Sequence, residues 1–189
     1  MKRRLLLTLA IWMGLGGAGL LALSPAHAQP RYTVPSEQLQ EAVAQKFPRR
    51  YPVGGLLDLT LQTPRLRLLP ELNRVGAEMA VDAAGPALAG NSTGIFDVDF
   101  ALRYEPSDQS IRAHKLRVNS LRLSGLPPGP AALLEAYAPA IAGETLLEVV
   151  VHRLRPQDLM LADGLGLEPG TITVTAKGLV IGFVTKQPR

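Results

Sequence analysis

Between Leu56 and Leu123 apolar residues recur at every second position, and this spacing limits the fold more than any other feature of the chain. Leu57, Leu59 and Leu61 alternate with Asp58, Thr60 and Gln62. Val75, Ala77, Met79 and Val81 alternate with Gly76, Glu78, Ala80 and Asp82. Phe96, Val98, Phe100 and Leu102 alternate with Asp97, Asp99, Ala101 and Arg103, and Leu116 and Val118 alternate with Lys115, Arg117 and Asn119. Successive side chains of a strand point to opposite faces, so each run has one buried and one wet side. Such runs predict an antiparallel sheet covered on one face, with Phe96, Val98, Phe100 and Leu102 inward and Asp97 and Asp99 outward. The phase flips after Pro64, to Leu66 and Leu68, and at Ser120, to Leu121 and Leu123. Both flips predict β-bulges, which bend a strand and increase its twist. Turns are expected at Pro70-Glu71-Leu72-Asn73, from Gly85 to Gly94, and at Glu105-Pro106-Ser107-Asp108.

A sheet with one apolar face needs a cover, and the stretch from Gly129 to Leu154 is the candidate. Pro130 suits a first helical turn, where no N–H is needed. Ala131 to Leu154 as one helix would be about 36 Å long, kinked at Pro139. Glu144, Glu148 and His152 recur every four residues as one narrow polar stripe, and nearly every other side is apolar. A helix apolar over most of its girth must be buried over most of its girth. Upstream, Tyr32-Thr33-Val34 is a short extended piece, and Ser36 is placed to cap a helix from Glu37 to Phe47 with Leu39, Ala42, Val43 and Phe47 on its apolar face. The segment from Pro48 to Gly55 has the composition of a loop. Downstream, Pro156 to Leu167 is apolar but irregular, Glu168-Pro169-Gly170 is a turn, and Ile172 to Phe183 is one bent strand or a tight hairpin joining the sheet. The fold class expected is α+β: a curved antiparallel sheet wrapping one long C-terminal helix, with a short N-terminal helix.

The first 28 residues have the pattern of a secretory signal peptide. Lys2, Arg3 and Arg4 precede an uncharged apolar run from Leu5 to Leu23, and Ala26-His27-Ala28 offers small residues for cleavage after Ala28. The run is long, so an uncleaved anchor is the competing reading. Residues 29–189 are then one domain, large enough to bury a core. Three of the four net positive charges are Lys2, Arg3 and Arg4, so the remaining chain gives no argument for nucleic acid. There is no cysteine, hence neither a disulfide nor a lipidated N-terminus, and a periplasmic location is expected.

Catalytic patterns are scarce. His114 and His152 are too few and too far apart for a zinc set. Glu148 and His152 at helical i, i+4 spacing would more simply form a solvated pair. Asp97 and Asp99 share a strand face expected to be wet. Gly164-Leu165-Gly166 precedes no helix and is no dinucleotide loop, and no Gly-x-Ser-x-Gly elbow occurs. Arg65, Arg67, Arg103, Lys115, Arg117 and Arg122 lie on several strands, where they serve solubility or meet lipid headgroups at a peripheral membrane contact. Neither an enzyme nor a cofactor is expected.

With Tyr32-Thr33, Ser36-Glu37-Gln38-Leu39, and Glu168-Pro169-Gly170 followed by an aliphatic strand, the chain resembles the YceB-like bacterial envelope family over about residues 32–183. That family is similar to tubular lipid-binding (TULIP) domains, in which a curved sheet wraps a long helix around an apolar cavity. The resemblance implies a TULIP-like fold, no catalytic residues and a lipid or other apolar ligand, although the lipobox cysteine of the typical member is missing. The expected lining is Leu57, Leu59, Leu61, Ala77, Met79, Val81, Phe96, Val98, Phe100, Leu102, Tyr137, Ile141 and Leu147. The competing reading is a solid core whose outer surface binds another envelope protein.

Overall fold

The computed structural model describes residues 30–186 apart from Gly54, Leu56, Ala87, Ala89, Leu147 and Glu148, and the backbone alone for residues 144–146. The proposed signal segment, Leu147 and the side chains of Glu144 and Glu148 therefore lie outside the described residues. The chain is α+β, and the ten strands among the described residues pair antiparallel. Seven of them, β2 (Arg49–Val53), β3 (Leu57–Leu61), β4 (Arg65–Leu69), β5 (Arg74–Ala84), β6 (Ser92–Glu105), β7 (Ser110–Leu123) and β8 (Val150–Arg153), form one strongly curled sheet. Its order is β2-β3-β5-β6-β7-β8, and β4 pairs with the first half of β5 on the edge that β3 leaves open. A second sheet has the order β1-β10-β9, from β1 (Arg31–Pro35), β10 (Gly178–Thr185) and β9 (Leu167–Thr175).

The period-two reading holds strand by strand. Leu57, Leu59, Leu61, Val75, Ala77, Met79, Val81, Phe96, Val98 and Phe100 are all buried in one cluster. The bulge expected at Ser120 is present: Asp97 faces Ser120 while Val98 faces Val118, which leaves Asn119 unopposed. A second bulge, unforeseen, lies four residues earlier, where Asp99 pairs with Arg117 and Ala101 with His114. Lys115 sits there with φ of 48°, a left-handed conformation that a residue with a Cβ rarely adopts. The break near Pro64 divides β3 from β4 along the edge of β5.

Two helices bridge edges that the curl brings together. Helix α1 (Ser36–Ala44) lies against β8 and β4 and buries Leu39 and Val43. Helix α2 (Pro128–Leu146) lies against β7 and β2. Strand β8 pairs with Ser110–Arg112 of β7, and the Ala113 N–H donates to the Val149 carbonyl. Beyond these β7 has no strand partner on that side among the described residues, and α2 lies against β7.

Several expectations are corrected. There is no single long C-terminal helix: α2 stops at Leu146, Val150–Arg153 is β8, and Pro156–Gly164 is a third helix, α3. The β-branched run Val149-Val150-Val151 favours an extended backbone, and β7 offers it a partner. His152 is consequently on a strand and not on the helix, and the expected partner Glu148 lies outside the described residues. Nor is α2 wrapped. Leu134, Ala138, Ile141 and Ala142 are buried, while Ala132, Glu135, Ala136, Tyr137, Pro139 and Ala140 face solvent. Ser36 is the first helical residue rather than the cap, Pro35 occupying that place, and its hydroxyl donates to Glu37. The expected loop after Pro48 is β2, held by pairing with β3. The C-terminal segment is a hairpin, but it belongs to the second sheet, and Glu168-Pro169-Gly170 lies within β9.

Asp99 corrects the expectation of a wet outer face. It is buried and paired with Arg74, itself buried at the start of β5. The Arg74 Nη2 also donates to the carbonyls of Asp99 (3.0 Å) and Lys115 (2.5 Å). One guanidinium therefore joins β5, β6 and the bulge of β7. Asp97 is satisfied differently, by a two-pronged bond from Arg67 (2.7 and 2.8 Å). Gly76 leaves the space over which the Arg67 side chain passes.

Removing one member of a buried ion pair strands the other. We expect Arg74→Met and Asp99→Leu each to cost about 3–5 kcal/mol, and the double variant to cost less than their sum, measured as urea unfolding free energy. Gly178 has φ of 144°, and a Cβ there would run into the Val34 carbonyl of β1. Gly178→Ala should therefore cost more than about 1 kcal/mol in the same measurement.

Candidate functional site

The thirteen residues expected to line a ligand cavity divide into three groups. Ten of them, all but Leu102, Tyr137 and Leu147, come together with exposures of 0–4%. These ten belong to one buried cluster that also holds Leu134, Ala138 and Ala142 of α2. Leu102 is only partly buried, and Tyr137 is 40% exposed on the outer side of α2. Leu147 lies outside the described residues.

Hollows among the described residues open elsewhere. One, of about 720 Å³, lies where β6 runs on past the start of β5: Ala101 to Glu105 pair only with β7, and β9 passes beside them. Arg103, Tyr104, His114, Lys115 and Glu168 are among its lining residues. A second, of about 550 Å³, lies over the ends of β3 and β5 and is polar, with Arg50, Asp58, Thr60, Asp82 and Thr93. The third, of about 250 Å³, lies between α1 and β4 beside Gln40. The basic residues picked out in the sequence thus do different work: Arg67 binds Asp97, Arg103 binds Glu105 at 2.9 Å, and Lys115 faces the first hollow.

The side of α3 away from the core is the most apolar exposed feature. Leu159 and Ala162 are buried, whereas Met160, Leu161 and Leu165 are 68, 71 and 62% exposed. Val184, on the nearby end of β10, is also exposed, and the following Lys186 bonds Gly166 and Asp163. The cations around this patch have carboxylate partners: Arg155 with Asp158, Lys186 with Asp163, and Arg153 with Asp108 at 3.7 Å. Sequence reasoning passed over α3 as irregular. Pro156 at its first turn and Asp158, which caps the Arg155 amide at 2.9 Å, were the signals available.

His152 is the remaining chemical group of note. Its Nε2 is buried without a partner, and its ring lies 6.1 Å from that of Tyr32. Burial lowers the His152 pKa below 6.5, with Arg155 acting in the same direction and Asp158 against it. No three of His, Asp and Glu gather as a metal set among the described residues.

Because the folded state resists protonation of His152, the unfolded chain takes up the proton first, near pH 6.5. The stability due to neutral His152 is present above that value and is lost as pH falls through the lower folded value. Hydrogen bonds from Ser110 and Arg112 hold Asp108 below the usual carboxylate range, and those from Ser107 hold Glu105 there, so their contributions vanish only in stronger acid. We expect the melting temperature to fall between about pH 7.5 and 5.5, and His152→Phe to flatten that step while leaving the loss below about pH 4.

No protein-family model matches the chain, and no curated protein matches it.

Proposed function

We propose that the protein is a non-enzymatic interaction module of the bacterial envelope, which docks the exposed side of α3 onto an apolar patch of another envelope protein. One observation carries this reading: ten of the expected lining residues are 0–4% exposed, while Met160, Leu161 and Leu165 stand in solvent on and just beyond a short helix. Isolated exposed leucines are ordinary, but three large apolar side chains exposed within six consecutive residues mark a contact surface. The rim favours a protein over a lipid surface. Membrane-binding faces present several unpaired cations, whereas Arg155 and Lys186 here are bonded to Asp158 and Asp163. An apolar centre with a charge-balanced polar rim is the anatomy of a protein interface. The signal-like pattern of residues 1–28 and the YceB-like resemblance support the envelope location.

The test is a photo-crosslinking residue in place of Leu161, activated in cells. We expect one discrete adduct with a different protein, identified by peptide mass spectrometry and reduced at least tenfold by Leu165→Asp, with the circular dichroism spectrum unchanged. Absence of an adduct, an adduct only with a second copy, or flotation on anionic vesicles that Leu165→Asp abolishes would reject the reading.

A second reading, a TULIP-like carrier of a lipid or other apolar ligand, is favoured by the seat of α2. That helix joins the apolar cluster only through the narrow stripe Leu134, Ala138, Ile141 and Ala142, so lifting it would open the cluster between β7 and β2. Each buried methylene would contribute ~0.8 kcal/mol, enough for micromolar binding of a chain of about twelve carbons after association costs. Titration with fatty acids should then show saturable uptake that Ala77→Trp blocks; no saturation by the unaltered protein rejects the carrier.

A further inference from the structure

The hollow beside the overhanging end of β6 brings together groups of opposite charge that the fold itself leaves unused. His114 and Lys115 enter it from β7, and Glu168 from β9. His114 and Glu168 are half-buried and Lys115 is exposed, and none of the three side chains has a hydrogen bond or ion pair among the described residues. Arg103 adds a guanidinium to the wall, bonded also to Glu105. Tyr104 lines the acidic part. Its burial, with Asp163, Glu168 and Asp108 nearby, raises its phenol pKa and keeps the O–H as a donor.

The placement of Lys115 is held rather than incidental. Its backbone is left-handed, a strained conformation for a residue with a Cβ that persists only where the surroundings impose it. Here the imposing group is Arg74, which grips the Lys115 carbonyl from the buried pair with Asp99. The bulge moves β7 out of step with β6, so His114 faces Ala101, a side chain too small to fill the space. A basic wall of His114, Lys115 and Arg103 and an acidic wall of Glu168 therefore border one half-open space of about 720 Å³.

We propose that this hollow is a binding site for a small zwitterion carrying a phosphate and an ammonium a few bonds apart. The phosphate would accept from Lys115 and His114, with Arg103 adding positive potential, and the ammonium would donate to Glu168. The same chemistry occurs in soluble molecules and in lipid headgroups. The site is separate from the apolar side of α3, so it stands or falls independently of the docking reading.

The test uses the folded chain, 15N-labelled and titrated with phosphoethanolamine. We expect saturable amide shifts at Ala101, His114, Lys115 and Glu168, and at least tenfold weaker binding of inorganic phosphate or ethanolamine alone. Lys115→Ala and Glu168→Gln should each weaken binding at least tenfold with unchanged unfolding midpoints. Flotation on phosphatidylethanolamine vesicles that Lys115→Ala abolishes and Leu165→Asp spares would make a lipid headgroup the source; binding of the soluble compound without flotation would make it a free molecule. No saturable shift at 20-fold the concentration of a typical millimolar ligand (about 20 mM), equal binding by inorganic phosphate, or unaltered affinity in both variants would overturn the proposal.

Discussion

The Arg74 guanidinium is the point on which the curled sheet turns. Two adjacent bulges in β7 bend the strand, and a bulge leaves backbone groups without ladder partners. Arg74 takes up one such carbonyl, that of Lys115, together with the carboxylate and carbonyl of Asp99. A buried cation with this many acceptors is well satisfied, whereas an apolar substitute would leave the Lys115 carbonyl unbonded. The pair is thus less a source of net stability than a device that fixes where the sheet bends.

That bend decides what the helices do. Flat, the sheet would keep β2 and the far half of β7 apart; curled, it lets α2 reach both, and α1 reach β8 and β4. The open strand edges are treated alike at two places. The Gln40 amide donates to the Pro64 carbonyl and accepts from the Leu66 N–H, at 2.8 and 2.9 Å. The Asn73 amide donates to the Ile172 carbonyl and accepts from the Val174 N–H, at 3.0 and 2.7 Å. In both cases a side-chain amide supplies the donor and acceptor that a neighbouring strand would have offered, which protects β4 and β9 from adding a foreign strand.

Where the sequence was informative, it was so through local periodicity. The alternation from Leu57 to Leu123 was enough to place the inner face of β3, β5 and β6, and the phase change at Ser120 located a bulge. What it left dark depends on partners distant in the chain. Strand β2 contains Pro52 and two arginines and has no apolar period; pairing with β3 alone makes it a strand. Asp99 resembles any polar residue on an outer face until Arg74, 25 residues away, is brought beside it. The end of α2 was misjudged although Val149-Val150-Val151 was visible, because the apolar character of the whole stretch was given more weight than its β-branching. For the candidate surfaces, Lys115 and His114 were visible as residue types, but their meeting with Glu168 depends on how β9 passes β6.

The second sheet pairs Arg31 with Gly182 and Val34 with Leu179, so the first strand of the described chain is zipped to the last. These contacts close a loop of about 150 residues, among the most non-local that a chain of this length can make. Strand β1 has no other strand partner among the described residues, so its pairing requires β10, whereas the curled sheet is built from strands β2 to β8 alone. Both ends of the described chain finally leave the molecule side by side, so a tag or tether fused to either would emerge from the same small region of the surface.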